Sequence, residues 1–268
     1  MKKFFVAIVL TALMLINTAV TSAAPVKEKN TLYQVALLQS LALGHFDGSI
    51  SVKDLKKLGD TGIGTFEGLD GELIAVNGVI YRANNDCKIN VVPDNVKIPF
   101  CNVTFFKKDF SSQLVNLHSK SSIEEELNKF VEEHGVNNFY MVRIHGTFND
   151  LLVRSEAKQS KPYPTLVGAL EATQKEFNPQ KTVSGIVIGL YCPDFMNSLN
   201  STGWHFHFVS DDKSFGGHVL SMNLKEGEVE FDKIENFKMA LPTNDDFDAL
   251  NFKVDLKEQI HKAENETY

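Results

Sequence analysis

The chain has 268 residues, of which 43% are hydrophobic and 23% are charged, and its formal net charge at pH 7 is −7. A chain of this length and hydrophobic content can bury a core without disulfides, as one large domain or two modest ones. The acidic balance argues against a nucleic-acid-binding protein, because phosphate backbones are bound by an excess of Lys and Arg.

The first 24 residues have the layout of a secretory signal peptide. Lys2 and Lys3 precede an apolar run over residues 4–16, and small residues follow from Thr21 to Ala24, where a signal peptidase would cut. This run is shorter than the roughly 18 apolar residues of a membrane helix, as is every later one. An uncleaved membrane anchor is the alternative interpretation. We therefore expect a soluble, secreted protein, extracellular or periplasmic, whose net charge becomes −9 after removal of residues 1–24.

The next part of the chain predicts helices and then strands. Apolar residues recur at helical spacing over residues 31–43, so we expect a helix there. Ser51, with Asp54 three residues later, resembles the capping box of a short helix that ends at Gly59. An Asp-Gly and an Asn-Gly turn within residues 62–83 then predict a strand meander.

The middle of the chain predicts extended segments around one helix. Residues 95–106 are expected to be extended, and Ser121 or Ser122 to cap an amphipathic helix. Strands are expected again at residues 139–144 and 147–154.

The later part of the chain begins with a polar, proline-containing stretch at residues 155–164, which is either a domain boundary or a loop over a site. The regular β-helix-β alternation of a doubly wound sheet is absent from the sequence pattern. We therefore expect an α/β fold of the α+β kind, with strand-rich mixed β-sheets and a few flanking helices in two closely packed sheet subdomains. Later strands are predicted at residues 182–191, 203–210, 218–224 and 228–234, and the two subdomains at residues 25–155 and 156–268.

Three cysteines remain after the expected cleavage, Cys87, Cys101 and Cys192. An odd number cannot all pair within one chain, although a bridge between Cys87 and Cys101 is one interpretation in an exported protein. The other is that all three are small buried hydrophobic residues.

The histidines near residue 210 form the most informative pattern. His205 and His207 alternate with apolar residues, so a strand would place both on one face. A turn rich in charge and glycine follows, and His218 begins the next extended run. If the two runs pair as a hairpin, His218 lies opposite or diagonal to His207 on the same face.

Three imidazoles without a cysteine are typical of a catalytic metal site with open coordination positions. Imidazole suits zinc, copper, nickel or iron(II). The alternative is that the histidines are exposed on a solvated strand face. Their spacing alone does not decide between a metal site and exposed surface residues.

Motifs along the whole mature chain resemble acetolactate decarboxylases. The stretch from Gly59 to Leu73, GDTGIGTFEGLDGEL, is similar to the signature of that family, and Asn77-Gly78-Val79-Ile80-Tyr81 follows in the expected place. Further similar motifs fall in order: YQ at 33, GHFDG at 44, PF at 99, VTF at 103, VRS at 153, PYP at 162 and IHKAE at 260.

The resemblance implies a Zn²⁺ cofactor bound by His205, His207 and His218. It also implies that Glu72 and Glu264 lie at the metal site, that Arg154 is the active-site arginine of the family and that Thr65 is the active-site threonine. These four residues do not stand out from the sequence pattern alone. Glu67 is an alternative to Glu72, Arg143 is an alternative to Arg154, and Glu264 lies in a charged tail of the kind that usually frays.

This sequence departs from the family pattern in two loops, at Cys87 and at Cys192, the second before an apparent lengthening over residues 197–202. These changes affect loop geometry, and with it substrate selectivity, rather than the expected ligands.

The implied reaction is the metal-dependent decarboxylation of 2-acetolactate to acetoin and CO₂. The metal would chelate the hydroxyl and ketone oxygens and stabilise an enediolate as a Lewis acid. The expected partners are this small-molecule substrate and a second copy of the chain in a homodimer, with no membrane and no nucleic acid. Two alternative functions fit a histidine pattern of this kind: a cupin-like metal-dependent oxygenase or oxidase, and a non-catalytic secreted metal-binding module.

Overall fold

The structure is a computed structural model, and it describes residues 28–265. The strands are β1 (Thr31–Val35), β2 (Ile50–Ser51), β3 (Thr61–Thr65), β4 (Glu72–Val76), β5 (Val79–Ala83), β6 (Ile89–Val91), β7 (Lys97–Ile98), β8 (Phe100–Thr104), β9 (Phe110–Leu117), β10 (Phe139–Ser155), β11 (Lys175–Phe177), β12 (Val183–Cys192), β13 (Gly203–Ser210), β14 (Gly216–Ile234) and β15 (Asn236–Ala240). The helices are α1 (Leu38–Ala42), α2 (Val52–Leu55), α3 (Lys120–His134), α4 (Leu166–Thr173), α5 (Asp245–Asp248) and α6 (Lys257–Asn265), with a 3₁₀ turn at Asp194–Met196.

Two large sheets organise the described chain. One has seven strands in the order β15-β1-β8-β3-β4-β5-β6, and the other has six in the order β11-β10-β12-β13-β14-β9. Because β14 also pairs with β10, the strands β10, β12, β13 and β14 form a closed ring of pairings. This strand-rich mixture with a few flanking helices confirms the expected fold class.

The two sheets pack face to face through a shared apolar core. Ile63 and Ile74 from the first sheet lie in one cluster with Met141, Ile188 and Val209 from the second. Burial of such side chains contributes roughly 1.5–3 kcal/mol each. A separate apolar cluster joins α1, α4 and α6 at one side of the sheets, and it covers the site described below.

The helix expected over residues 31–43 is wrong in its first half. Thr31–Val35 is strand β1, which pairs in parallel with β15 and antiparallel with β8. Only Leu38–Ala42 is helical. The apolar spacing fits a helix, but pairing with two neighbouring strands satisfies the backbone of residues 31–35 and overrides the local pattern.

Several other local predictions are confirmed. Ser51 caps α2 by accepting a hydrogen bond from the Asp54 amide, and residues 61–83 form the expected meander of β3, β4 and β5. Helix α3 is also present, but its cap is Ser119 rather than Ser121 or Ser122. The paired strand segments expected between 139 and 154, and between 218 and 234, are single long strands, β10 and β14.

One of the two large sheets contains strands from both sides of the boundary expected after residue 155. Strands β9 and β10 precede that residue and pair with β14 and β12, which follow it. The division into two subdomains at residue 155 therefore stays a prediction about folding units, whereas residues 156–165 form the connection from β10 to α4.

All three cysteines are buried and free, so the bridge between Cys87 and Cys101 is absent. Within residues 28–265, no helix has the length and apolar character needed to cross a bilayer. The expected signal peptide, residues 1–24, lies outside the described residues.

Candidate metal centre and active site

The three histidines converge at the end of the hairpin formed by β13 and β14. His207 pairs directly opposite His218, as one of the two expected registers requires. The Nε2 atom of His205 lies 3.1 Å from Nε2 of His207 and 2.9 Å from Nδ1 of His218. The ligand atoms of the three rings all lie within 4.8 Å of one another, which is close enough to surround one metal ion.

Main-chain carbonyls fix two of the rings. His207 donates from Nδ1 to the carbonyl of Leu73 on β4, at 2.9 Å, and His218 donates from Nε2 to the carbonyl of Glu264 on α6, at 2.8 Å. A carbonyl can only accept, so these bonds set the tautomers and leave Nε2 of His207 and Nδ1 of His218 with lone pairs facing the cluster.

Burial keeps the three imidazoles neutral. Desolvation, with the nearby charge of Arg154, lowers the pKa of His205 to about 3. Desolvation also holds the pKa values of His207 and His218 well below the ordinary value for histidine. Neutral imidazole is the form that binds a metal, so the cluster is ready to coordinate at neutral pH.

Two carboxylates, one on a helix and one on a strand, lie close to the ring nitrogens. Glu264 on α6 places Oε2 3.2 Å from Nε2 of His205 and 3.9 Å from Nδ1 of His218. Glu72, the first residue of β4, places Oε2 3.5 Å from Nε2 of His207. The Glu264 Oε2 atom is buried and has no hydrogen-bond partner among the described residues.

Arg154 lies beside His218 because β10 and β14 pair these two residues directly. Its side chain is 4% exposed; Nη1 donates to Glu72 at 3.1 Å, and Nη2 donates to the carbonyl of Ala263 at 2.8 Å. Its Nε atom is buried without a partner in the described chain. Nη1 also donates to Glu156, so three of the five N–H groups of the guanidinium are used, and Nε–H and one Nη2–H have no partner within residues 28–265.

Arg143 and Glu67, the alternatives to Arg154 and Glu72, lie outside the site. Arg143 hydrogen bonds to Thr61, approaches Asp60 at 3.6 Å and stacks over the ring of Phe106 at 4.0 Å. Glu67 accepts a hydrogen bond from the amide of Gly48 at 3.3 Å. Neither residue lines the cavity at the histidines.

Thr65 lines the same cavity and lies opposite Glu72 in the pairing of β3 with β4. Its hydroxyl donates to the carbonyl of Gly71 at 2.8 Å, which orients the hydroxyl oxygen as an acceptor for the cavity or for a bound molecule. The structure therefore brings together all seven residues that the resemblance implied.

Glu156 is a charged residue of the cavity that the sequence pattern favours only as a surface partner of Arg154. It follows β10 directly, its side chain is 1% exposed, and its Oε2 atom lies 3.4 Å from Nη1 of Arg154. Burial raises its pKa to about 7, and burial also raises the pKa values of Glu72 and Glu264. The only sequence signal was the spacing of two residues from Arg154, which places both side chains on one side of an extended chain.

The charges of the cavity suit a divalent cation. The fully ionised cavity holds one arginine and three glutamates, so its formal charge is −2. Buried charge of one sign is costly unless it is compensated. A divalent ion between three neutral imidazoles and the unpartnered Glu264 oxygen would balance it, and nitrogen and oxygen donors of this kind bind several divalent metals, zinc among them.

An apolar wall closes the other side of the cavity. Its members come from α1, α4, the loop before β4 and the first residue of β8, and they are Leu38, Leu41, Leu69, Phe100, Leu166 and Leu170. A site with a few converging polar groups on one side and an apolar wall on the other is typical of pockets for small molecules.

Comparison with known proteins decides the family. The sequence model described as "Alpha-acetolactate decarboxylase" matches residues 32–254. The chain belongs to the alpha-acetolactate decarboxylase family. The resemblance of its motifs to that family is confirmed, and the chain is therefore a carboxy-lyase whose family acts on the small molecule acetolactate. The matched stretch ends before α6, so Glu264 lies outside it.

Individual alpha-acetolactate decarboxylases agree with this assignment. The protein of Brevibacillus brevis is 35% identical over 93% of this chain and 90% of its own length, and that of Methanosarcina mazei is 35% identical over 88% of this chain and 80% of its own length. The crystal structure of the alpha-acetolactate decarboxylase from Bacillus subtilis strain 168 superposes with a TM-score of 0.82, at 31% identity, over 88% of this chain and all of that one.

Proposed function

We propose that the protein converts 2-acetolactate to acetoin and CO₂ with a zinc ion held by His205, His207 and His218. The observation that carries the metal site is the convergence of three neutral ring nitrogens within 4.8 Å. The carbonyls of Leu73 and Glu264 support it, because they fix the tautomers that leave ligand lone pairs inside.

The substrate has a ketone β to its carboxylate and a hydroxyl on the carbon between them. When bound, a divalent cation would act as a Lewis acid toward the ketone oxygen, where negative charge develops as CO₂ leaves. Three histidine ligands leave coordination positions for the substrate oxygens.

Arg154 is proposed to bind and orient the substrate carboxylate. Nη1 donates to Glu72 and to Glu156, and Nη2 donates to the Ala263 carbonyl, whereas the buried Nε–H has no partner in the described structure. That donor is available to a carboxylate in a dry cavity, where a charge-assisted hydrogen bond is strong. Guanidinium keeps its proton at ordinary pH, so Arg154 acts electrostatically rather than as an acid.

Glu72 and Glu264 are proposed to orient the substrate hydroxyl and to hold its proton. Both are buried, and burial raises the pKa of each carboxyl, which brings proton binding closer to neutral pH. Thr65 is proposed to contact the substrate with its hydroxyl oxygen. The apolar wall would hold the methyl groups and exclude water, which strengthens the electrostatic contacts inside.

An anaerobic assay tests the proposal. Purified protein is supplied with racemic 2-acetolactate, with and without a metal chelator, and acetoin and CO₂ are measured. We expect both products without oxygen and their loss on chelation, restored by Zn²⁺. Product formation that requires oxygen, or that a chelator leaves unchanged after the metal has been shown to be removed, would reject the proposed chemistry.

Export and self-association are proposed separately from the chemistry. Cleavage before Pro25 in secreted protein, read by amino-terminal sequencing, would support the signal peptide, and a full-length chain retained in the cell would oppose it. A light-scattering mass of twice the chain mass would support the homodimer, and a monomer would oppose it.

A further inference from the structure

Glu156 is a buried carboxyl group for which the proposed metal site has no role. It lines the cavity together with Glu72 and Glu264, and its side chain is 1% exposed. Buried glutamates need compensation, so a third one beside the histidines calls for a physical reason.

The contacts of Glu156 compensate its charge poorly. Oε2 reaches Nη1 of Arg154 at 3.4 Å, but that nitrogen lies closer to Glu72, at 3.1 Å. Oε1 is buried and has no hydrogen-bond partner within residues 28–265. One donor nitrogen shared by two carboxylates, and one carboxyl oxygen without any partner, favour one retained proton on the buried pair of Glu72 and Glu156, whose pKa values burial raises.

The charge balance of the reaction points the same way. Arg154 and a divalent cation together balance three ionised glutamates, but the substrate brings a further carboxylate into the buried cavity. Uptake of one proton restores neutrality, which a site of low dielectric favours. The decarboxylation itself consumes one proton, because the carbon that loses CO₂ must form a bond to hydrogen.

We propose that Glu156 holds the proton that the decarboxylation consumes, an inference that rests on the proposed function. The bond between the carbinol carbon and the carboxylate carbon breaks, and CO₂ leaves. The electron pair left behind forms a C–H bond with the proton of Glu156. The resulting Glu156 carboxylate takes a proton from water before the next turnover, so no oxidant or reductant is needed.

The surroundings of Glu156 set the direction of the pH dependence. Burial raises its pKa to about 7, although the charge of Arg154 and a hydrogen bond with Glu72 act in the opposite direction. Glu156 therefore holds its proton below about pH 7 and loses it above. The titratable and charged groups that act on it or are acted on by it are Arg154 from β10, Glu72 from β4, Glu264 from α6, and Asp70 and Cys87 from loops.

The test compares zinc-loaded wild type with Glu156→Gln, which keeps the shape but cannot donate an acid proton. Glu176→Gln is the matched control. Glu176 lies opposite Arg154 in the strand register of β10 and β11, but its side chain is exposed. We expect wild-type kcat to fall as pH rises through about 7. Glu156→Gln should lose roughly 10²–10⁴-fold in kcat, as for removal of a general acid, with KM near the wild-type value and no fall across that pH range.

Two further measurements accompany the kinetics. Zinc content should equal that of wild type in both variants, and an infrared carboxylic-acid band that titrates near neutral pH in wild type should be absent from Glu156→Gln alone. If Glu156→Gln does not fold, Glu156→Asp replaces it: this variant keeps an acid group on a shorter side chain, so kcat should fall below the wild-type value, and wild-type kcat would overturn the role of Glu156.

Different results overturn different claims. A Glu156→Gln variant with wild-type kcat and pH profile would overturn the role of Glu156 while leaving the proposed function intact. A wild-type kcat that does not fall above neutral pH would do the same. A wild-type protein that forms no acetoin would overturn both proposals.

Discussion

Replacement of Arg154 by methionine tests whether the buried charges of the cavity are organised around one cation. Arg154 is 4% exposed and is the cationic side chain among those that line the cavity, facing Glu72 and Glu156, whose side chains are 8% and 1% exposed. Removing one partner of a buried ion pair costs about 3–5 kcal/mol, because a buried charge is left uncompensated. For a domain of about 150–250 residues, this corresponds to a Tm lower by about 6–20 °C.

The loss of folding stability in Arg154→Met should increase as pH rises. Burial raises the pKa values of Glu72 and Glu156 above their ordinary range in the folded state, so their ionisation costs stability as pH rises from about 4 through the folded pKa values. Arg154 offsets that cost. The deficit of Arg154→Met should therefore be small near pH 5, where the folded carboxyls are protonated, and should grow as pH rises past about 7.

Thermal unfolding of metal-free protein at several pH values measures both effects. Arg82→Met is the matched control, because Arg82 forms an ion pair with Asp70 in which both side chains are more than a quarter exposed. Such a pair contributes only about 0–1 kcal/mol. An Arg154→Met deficit no larger than that of Arg82→Met, or one that does not grow with pH, would refute the reasoning.

Three other outcomes are expected. His205→Ala should lose bound zinc and activity together by elemental analysis and acetoin assay, whereas His145→Ala, whose side chain is 65% exposed, should keep both; a His205→Ala protein with full zinc content would oppose the ligand assignment. Because burial lowers the pKa of His205 to about 3, protons should not displace zinc as pH falls from about 8 to about 6, and dialysis that releases zinc near the ordinary histidine pKa would contradict this. Leu170→Ala in the apolar wall should cost about 2–5 kcal/mol in denaturant unfolding, since it leaves a cavity at a buried position, and a loss below 1 kcal/mol would show that α4 collapses onto the space.

The sequence predicts the histidine cluster because its geometry is local. The alternation of His205 and His207 requires only that a strand form, and the turn before His218 requires only a hairpin. The meander around β4 follows in the same way from its Asp-Gly and Asn-Gly turns. Each of these predictions depends on neighbours a few residues apart.

The remainder of the site depends on contacts that no local pattern contains. Glu264 reaches the histidines because α6 packs on α1 and α4, and Arg154 reaches His218 through a strand register that shifts three times between residues 147 and 153. The helix expected over residues 31–35 is wrong for the same reason. The strands that pair with β1, β8 and β15, lie far away in the chain. Glu156 needs the placement of Glu72 and Arg154 before its burial can be inferred.

Helix α6 touches the cavity partly through its main chain. The main-chain carbonyl of Ala263 accepts a hydrogen bond from Arg154, and that of Glu264 accepts one from His218. A carbonyl is present whatever side chain the residue bears, so mutation can exchange amino acids here without deleting either acceptor, provided that the helix still forms and fits. Selection on this support then acts on helical shape and size, and aligned sequences of related proteins can differ at Ala263, whose side chain has no part in the proposed chemistry, while its main-chain bond persists.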